Sequence, residues 1–199
     1  QLGLLLGVLN ETRVPVCGLV DAAVAAVALQ PAGERVLYLD LELHQAVLTL
    51  LEHGNDLRRS QSELLPRHGQ LSLEEAWVEA IAVTFVRRTR FDPLHDARNE
   101  QALWDGLPEW IGALENAETT EIEIRDGEAA HKVEFSRDAL VAAMQQRYAN
   151  LFGFVQQHCP AGVNTDLVLS DRAAAAPGLM TRLAGVPSVS IRSAPRGAA

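Results

Sequence analysis

The fold of this chain is decided by the stretch Val36-Leu37-Tyr38-Leu39-Asp40-Leu41-Glu42-Leu43-His44-Gln45-Ala46-Val47. It is a strand-like run with a single Asp, and it predicts strands at 35–41 and 45–52, dense in Leu and Val. The turn His53-Gly54-Asn55-Asp56 leads into a third strand at 57–62. We therefore expect an antiparallel meander.

A second stretch of this kind lies near the other end of the chain, and it is Leu167-Val168-Leu169-Ser170-Asp171-Arg172-Ala173-Ala174-Ala175-Ala176-Pro177-Gly178-Leu179. It predicts a strand at 166–169 that breaks into a helix at 177–183, and a last strand follows at 189–191.

The remaining patterns place helices around these strands. A helix is expected at 2–10, a short strand at 14–17 with Cys17 buried, and a helix opened by Asp21. In the middle, Ser72 and Glu75 form a capping box for a helix at 73–89, and a second helix runs from 97 to 106. Pro108 then starts a third helix. The loop between the first two carries Asp92 and Asp96 beside His95, which fits helix-ending caps better than a metal cluster.

A hairpin follows the helical middle. Strands at 120–124 and 132–135 alternate polar and apolar residues across the turn 125–128. Ser136 then caps a long helix whose apolar face includes Met144, Tyr148 and Leu151.

Composition limits the classes of function. The chain has 199 residues and a net charge of −9, without a basic stripe that could bind nucleic acid. Two cysteines make no disulfide framework and favour a cytoplasmic protein. Residues 1–9 are apolar but too short to span a bilayer, so no membrane partner is predicted.

In this order the elements resemble the second lobe of the actin-like ATPase superfamily, most nearly the heat-shock chaperone type. Asn10-Glu11 followed by Gly18-Leu19-Val20-Asp21-Ala22-Ala23 resembles the family's linking helix. The stretch 36–48 resembles the phosphate hairpin, 135–138 the end of the insert's hairpin, and 167–179 the adenosine-side turn.

The resemblance implies an α/β, ribonuclease-H-like lobe with a helical insert that carries a β-hairpin. Residues 1–62 and 136–199 would form the ribonuclease-H-like subdomain, and residues 63–135 the insert. It also implies ATP and Mg²⁺ as cofactors and a first lobe elsewhere in the same polypeptide. The insert is the candidate surface for protein partners or clients.

The nucleotide-binding turns depart from the family pattern. The hairpin should continue from Asp40 and Leu41 into three glycines and a Thr, and it holds Glu42, Leu43, His44 and Gln45 instead. On the adenosine side, Asp171-Arg172 replaces a Gly-Gly pair. Glycine lets phosphate or base approach the backbone, whereas a Glu near a γ-phosphate repels it.

These residues define the candidate site and three hypotheses. Asp40 is the candidate catalytic and metal-holding residue, and Glu42, His44, Gln45, Asp171 and Arg172 are the candidate cofactor-facing residues. The leading hypothesis is a degenerate, chaperone-like protein that acts through conformation and partner contacts. The alternative is a working Mg-ATPase whose phosphate contacts come mainly from the first lobe.

The third hypothesis is a metal-dependent hydrolase. In a continuous strand Asp40, Glu42 and His44 would share one face, and two carboxylates with an imidazole suit a divalent metal. The structural alternative is that this face lines the cleft or pairs with arginines from elsewhere in the chain.

Overall fold

The computed structural model describes residues 2–13, 15–28, 33, 35–54, 56–195 and 197. Its helices are, in chain order, α1 (Leu2–Glu11), α2 (Ala22–Ala28), α3 (Gln70–Thr89), α4 (Ala97–Asn116), α5 (Arg137–Ala143), α6 (Gln145–Gln157), α7 (Asp171–Ala175) and α8 (Leu179–Leu183). Its strands are β1 (Arg35–Leu41), β2 (Gln45–His53), β3 (Leu57–Pro66), β4 (Thr119–Asp126), β5 (Ala129–Ser136), β6 (Thr165–Leu169) and β7 (Val189–Ser193).

The main sheet is mixed and has the strand order β3-β2-β1-β6-β7. The first three strands form the predicted antiparallel meander, with Leu37 opposite Leu50. β6 pairs in parallel with β1, and β7 pairs in parallel with β6. β1 is central and covered on both faces, which explains its continuous run of apolar residues. The protein is therefore α/β, as predicted.

Two apolar clusters cover the faces of this sheet. Val36 and Tyr38 pack against α2 on one face. Leu37, Leu39 and Leu41 face the larger cluster, which extends through α3, α4 and the β4–β5 hairpin to α6 and α8. The residues predicted as an insert thus share one continuous core with the sheet.

Several predicted elements are confirmed. The hairpin forms from β4 and β5, and the Oγ of Ser136 accepts a hydrogen bond from the N–H of Ala139 at 3.1 Å. Asp21 caps α2 through the N–H of Ala23 at 3.0 Å. Asp92 and Asp96 cap the turn and helix that follow them, each through the N–H two residues on. The loop around His95 is therefore a capping structure.

The predicted break at 105–108 is wrong, because α4 continues through Pro108. A proline inside a helix removes one N–H donor, but it does not prevent a helix that buries an apolar stripe. Leu103, Leu107 and Leu114 form that stripe, and all three are buried.

The predicted cap of α3 is also wrong. The helix begins at Gln70, and its N-cap is Gly69 rather than Ser72. The Ser72 side chain instead accepts a hydrogen bond from the Nε of Arg147 at 3.1 Å.

Other differences concern the ends of elements. Residues 15–20 form no strand, and Cys17 is exposed rather than buried. The long helix after Ser136 divides at Met144. The helix expected at 177–183 forms as α8, and a separate short helix, α7, precedes it. β3 extends to Pro66, past the predicted boundary between residues 62 and 63.

Candidate functional site

The carboxyl ends of β1 and β6 lie side by side, because these strands are parallel neighbours. Asp40 stands near the end of β1, and Ser170, Asp171 and Arg172 follow β6. In open α/β sheets, ligands bind at this edge of the sheet. The sheet therefore brings together the Asp of the first turn and the Asp-Arg pair of the second.

The two turns contact each other directly through an ion pair. The Nη2 of Arg172 lies 3.1 Å from Oδ2 and 3.3 Å from Oδ1 of Asp40. The Asp40 side chain is 18% exposed and that of Arg172 52%. Asp40 thus follows the structural alternative, in which it pairs with an arginine from elsewhere.

Asp40 lies on the face of β1 that also carries Tyr38, since alternate residues of a strand share a face. Burial, and secondly the Asp40 carboxylate, raises the pKa of Tyr38 to about 12. This shift has the sign expected for a phenol that is withdrawn from water beside a negative charge.

Asp171 and Ser170 have structural partners. The Oδ2 of Asp171 accepts a hydrogen bond from the N–H of Gly197 at 3.0 Å. The Oγ of Ser170 accepts the N–H of Ala173 at 3.2 Å and so caps α7. Asp171 therefore binds the backbone of Gly197, near the C-terminal end of the sequence, while Ser170 caps the start of α7.

The turn between β1 and β2 is closed by its own side chains and by α3. The Nε2 of Gln45 donates to Oε2 of Glu42 at 2.8 Å. The N–H groups of Gln70 and Leu71 donate to the carbonyl oxygens of Glu42 and Leu43 at 2.8 and 3.0 Å. The start of α3, where free N–H groups could otherwise bind an anion, is thus used by the turn.

Gly69 allows α3 to approach this closely. A Cβ at Gly69 would overlap the backbone nitrogen of Gln45 and the carbonyl oxygen of Glu42, and it would lie 2.6 Å from the carbonyl carbon of His44. The sequence interpretation did not identify Gly69. The available signal was a lone glycine between a strand and a helix, and such glycines often mark close backbone approach.

The shared face proposed for Asp40, Glu42 and His44 does not form. β1 ends at Leu41, and residues 43 and 44 form a bend, so the assumption of a continuous strand is wrong. Within the described ranges, no group of three His, Cys, Asp or Glu side chains is placed to hold a metal ion.

An apolar cavity of about 320 Å³ lies on the other face of β1, between the second turn and the helical middle of the chain. Its lining includes Leu41, Trp77, Leu107 and Ile111, with Arg172 at one side. The Nε1 of Trp77 donates to the carbonyl oxygen of Leu140 at 3.2 Å, which fixes that wall.

The residues present do not fit a Mg-nucleotide bound as the resemblance implies. Phosphate would have to approach the turn where Glu42 stands, and a magnesium ion at Asp40 would compete with the Arg172 guanidinium. On the adenosine side, Asp171 and Arg172 have side chains at the two positions where the nucleoside would have to approach the backbone closely. His44, the remaining predicted residue, is exposed and faces a different surface basin, which sequence reasoning missed.

A scan against models of protein families finds none that matches this chain, and a search of curated proteins likewise finds no match. In the described part of the chain, every helix is too short or too polar to cross a bilayer.

Proposed function

We propose that this chain is the second lobe of an actin-like ATPase of the heat-shock chaperone type, with a ribonuclease-H-like fold and degenerate nucleotide turns. It acts in the cytoplasm through conformation and contacts with protein partners rather than through rapid ATP turnover. The observation that carries the proposal is the ion pair between Asp40 and Arg172, which joins the two turns that would otherwise hold phosphate and adenosine.

The order of elements supports the fold part of this proposal. An antiparallel meander contributes its first strand to a parallel arrangement with β6 and β7. Between the meander and β6 the chain inserts α3, α4 and a hairpin. This is the sequence of elements that the resemblance implies.

An exposed apolar segment supports the partner part of the proposal. Leu4 is 78% exposed and Val8 60%, and Leu19 and Val20 are exposed as well. Leu4 and Val8 are four residues apart on α1 and so share one face of the helix, and an exposed apolar patch of this kind marks an interaction site. In the proposed full protein, the first lobe covers this segment.

The first experiment is a thermal-shift titration of the full-length protein with Mg-ATP, Mg-ADP and no ligand. A ligand at about a hundred times its dissociation constant stabilises the folded state by roughly 2.7 kcal/mol. We expect no shift. A rise of several degrees, together with measurable hydrolysis that Asp40→Ala abolishes, would establish the working ATPase and overturn the degenerate form.

A gain-of-function experiment tests whether the altered turns are the cause of the expected loss of nucleotide binding. Glycines are introduced at Glu42, Leu43 and His44 with Gln45→Thr, and Asp171 and Arg172 are both replaced by glycine. If the altered turns are the reason for lost binding, this variant responds to Mg-ATP while the parent does not. The matched control adds Asp40→Ala, which should remove the magnesium-dependent part of the response.

A further inference from the structure

A polar basin lies beside the β1–β2 turn and apart from the Asp40–Arg172 contact. It has a volume of about 570 Å³ and lies between the turn, the loop after β3, the first turns of α3 and the start of α6. Its lining residues include His44, Arg67, His68, Ser72, Glu75 and Arg147. Two guanidinium groups thus face one hollow in a chain whose net charge is −9.

The two arginines have donors to spare. Arg67 makes no side-chain hydrogen bond or ion pair within the ranges that the structure describes. The Nε of Arg147 donates to the Oγ of Ser72 at 3.1 Å, which holds the guanidinium in place and leaves its terminal nitrogens without a described protein acceptor.

His68 is oriented by contacts on both ring nitrogens. Its Nδ1 lies 2.9 Å from the carbonyl oxygen of Pro66, and its Nε2 lies 3.0 Å from the Nδ2 of Asn150. These two contacts hold the ring in place between the loop after β3 and α6. The permanent positive charges of the basin are the guanidinium groups of Arg67 and Arg147.

We infer that this basin binds the phosphate group of a small molecule. Arginine presents a planar fork of donors that matches phosphate oxygens, and two such forks with the Ser72 hydroxyl and the His44 ring can surround a tetrahedral anion. The negative charge of the whole chain opposes this little, because salt screens exposed charges beyond about 8 Å at physiological ionic strength. The basin shares His44 with the β1–β2 turn, but the two arginines that carry the inference lie outside that turn and outside the Asp40–Arg172 contact, so the inference does not depend on the proposed function.

Glu75 is the opposing charge in the basin. Its carboxylate has no described partner, so it repels an anion that sits close to it. Removing the Glu75 charge should therefore strengthen phosphate binding, whereas removing the Arg67 or Arg147 charge should weaken it. Charged residues outside the basin should have neither effect.

The test is calorimetric titration of the purified protein with inorganic phosphate and, separately, with glycerol phosphate, in a buffer that contains no other oxyanion. The inorganic ion tests the shared chemistry, and the ester tests whether the phosphate is read as part of a larger molecule. We expect Arg67→Gln and Arg147→Gln each to weaken binding by roughly tenfold or more. Glu75→Gln should tighten binding.

A matched control defines the result. Arg88 lies sixteen residues after Ser72 on α3, about 24 Å along the helix axis, so Arg88→Gln removes the same charge and should leave binding unchanged. Thermal melts check that each variant is folded, and Arg67 is exposed, so its replacement disturbs no packing. Absence of binding by the parent at millimolar phosphate, or binding by both arginine variants that is as tight as that of the parent, would overturn the inference.

Discussion

Arg172 lies against Asp40 with both carboxylate oxygens within 3.3 Å of one guanidinium nitrogen, across a gap of 132 residues in sequence. The contact joins the ends of two parallel strands, so it acts as a tie at the edge of the sheet. Because Asp40 is mostly buried and Arg172 is half-exposed, we expect the contribution of this tie to stability to lie between that of a surface ion pair and that of a buried one.

A double-mutant cycle with Asp40→Asn and Arg172→Gln measures this tie. We expect a coupling of about 0.5–1 kcal/mol in the free energy of unfolding, since solvent reaches the arginine. Urea denaturation of the four proteins provides the value. The pair of Arg125 and Glu123 on the hairpin is the matched control, and its coupling should be smaller because the Arg125 side chain is 76% exposed. Equal couplings would contradict a special role for the tie.

Gly69→Ala tests the packing of α3 on the β1–β2 turn. The added Cβ would meet backbone atoms of Glu42 and Gln45, which cannot rotate away, so we expect a loss of about 3 kcal/mol in unfolding free energy. Gly112→Ala is the control within a helix, since nothing lies within 4 Å of the new Cβ. It should stabilise the protein by about 0.5–1 kcal/mol. A neutral Gly69→Ala would show that the turn is not held by α3.

Pro108→Ala tests the continuity of α4. Proline in a helix interior costs about 3 kcal/mol relative to alanine, partly through the hydrogen bond it cannot give to the carbonyl of Trp104. Pro108 is exposed, so we expect stabilisation by about 1–3 kcal/mol in urea denaturation. Pro93→Ala is the contrasting variant. Pro93 is buried at the first position of a short 3₁₀ turn, where proline is favourable, so its loss should destabilise.

The two tyrosines predict the behaviour of the protein in alkali. Burial raises the pKa of Tyr148, and burial with Asp40 raises that of Tyr38 from 10.0 to about 12. Below pH 10 both states keep the phenolic proton, so this part of the stability is fully present. As the pH rises from 10 towards 12, the unfolded chain loses protons that the folded chain keeps, and stability falls.

Spectrophotometric titration of phenolate checks this expectation against a melting curve at each pH. Ionisation should appear together with unfolding rather than before it, and Tyr38→Phe should reduce the slope of stability with pH. A reversible tyrosine titration near pH 10 in the folded protein would contradict the buried positions.

The two cysteines should differ in reactivity. Cys17 is exposed, whereas Cys159 is partly buried and burial raises the pKa of its thiol. Since the thiolate is the nucleophile, an alkylating reagent near neutral pH should label Cys17 first. Mass spectrometry over time measures the order, and Cys17→Ser should leave only the slow phase. A fast phase that persists in Cys17→Ser would contradict this order.

Local patterns predicted the elements whose signals lie within a few residues. The hairpin of β4 and β5 has strict alternation around Gly127, and the caps at Asp21, Asp96 and Ser136 follow from side chains beside helix starts. The meander followed from the strand runs and the turn at 53–56. Such signals do not depend on distant parts of the chain.

The remaining features depend on tertiary contacts. Pro108 and the preceding Gly106 indicate a break, but the stripe of Leu103, Leu107 and Leu114 keeps α4 continuous. Gly69 is required only because another turn lies against it, and Arg67 and Arg147 meet only through folding. Of the candidate site, sequence alone identified Asp40 and Arg172, while their contact required the parallel pairing of β1 and β6.

The hydrogen bonds between the β1–β2 turn and the first residues of α3 connect movement of the turn to movement of the whole helix. The turn is hydrogen-bonded to one end of a helix of 20 residues, about 30 Å long, and Phe91, just past the other end, stacks on His131 of the β4–β5 hairpin. If α3 tilted by a few degrees about the end that is bonded to the turn, its far end would move by more than an ångström. A partner that displaces the turn would therefore also displace the end of α3 that lies beside the hairpin.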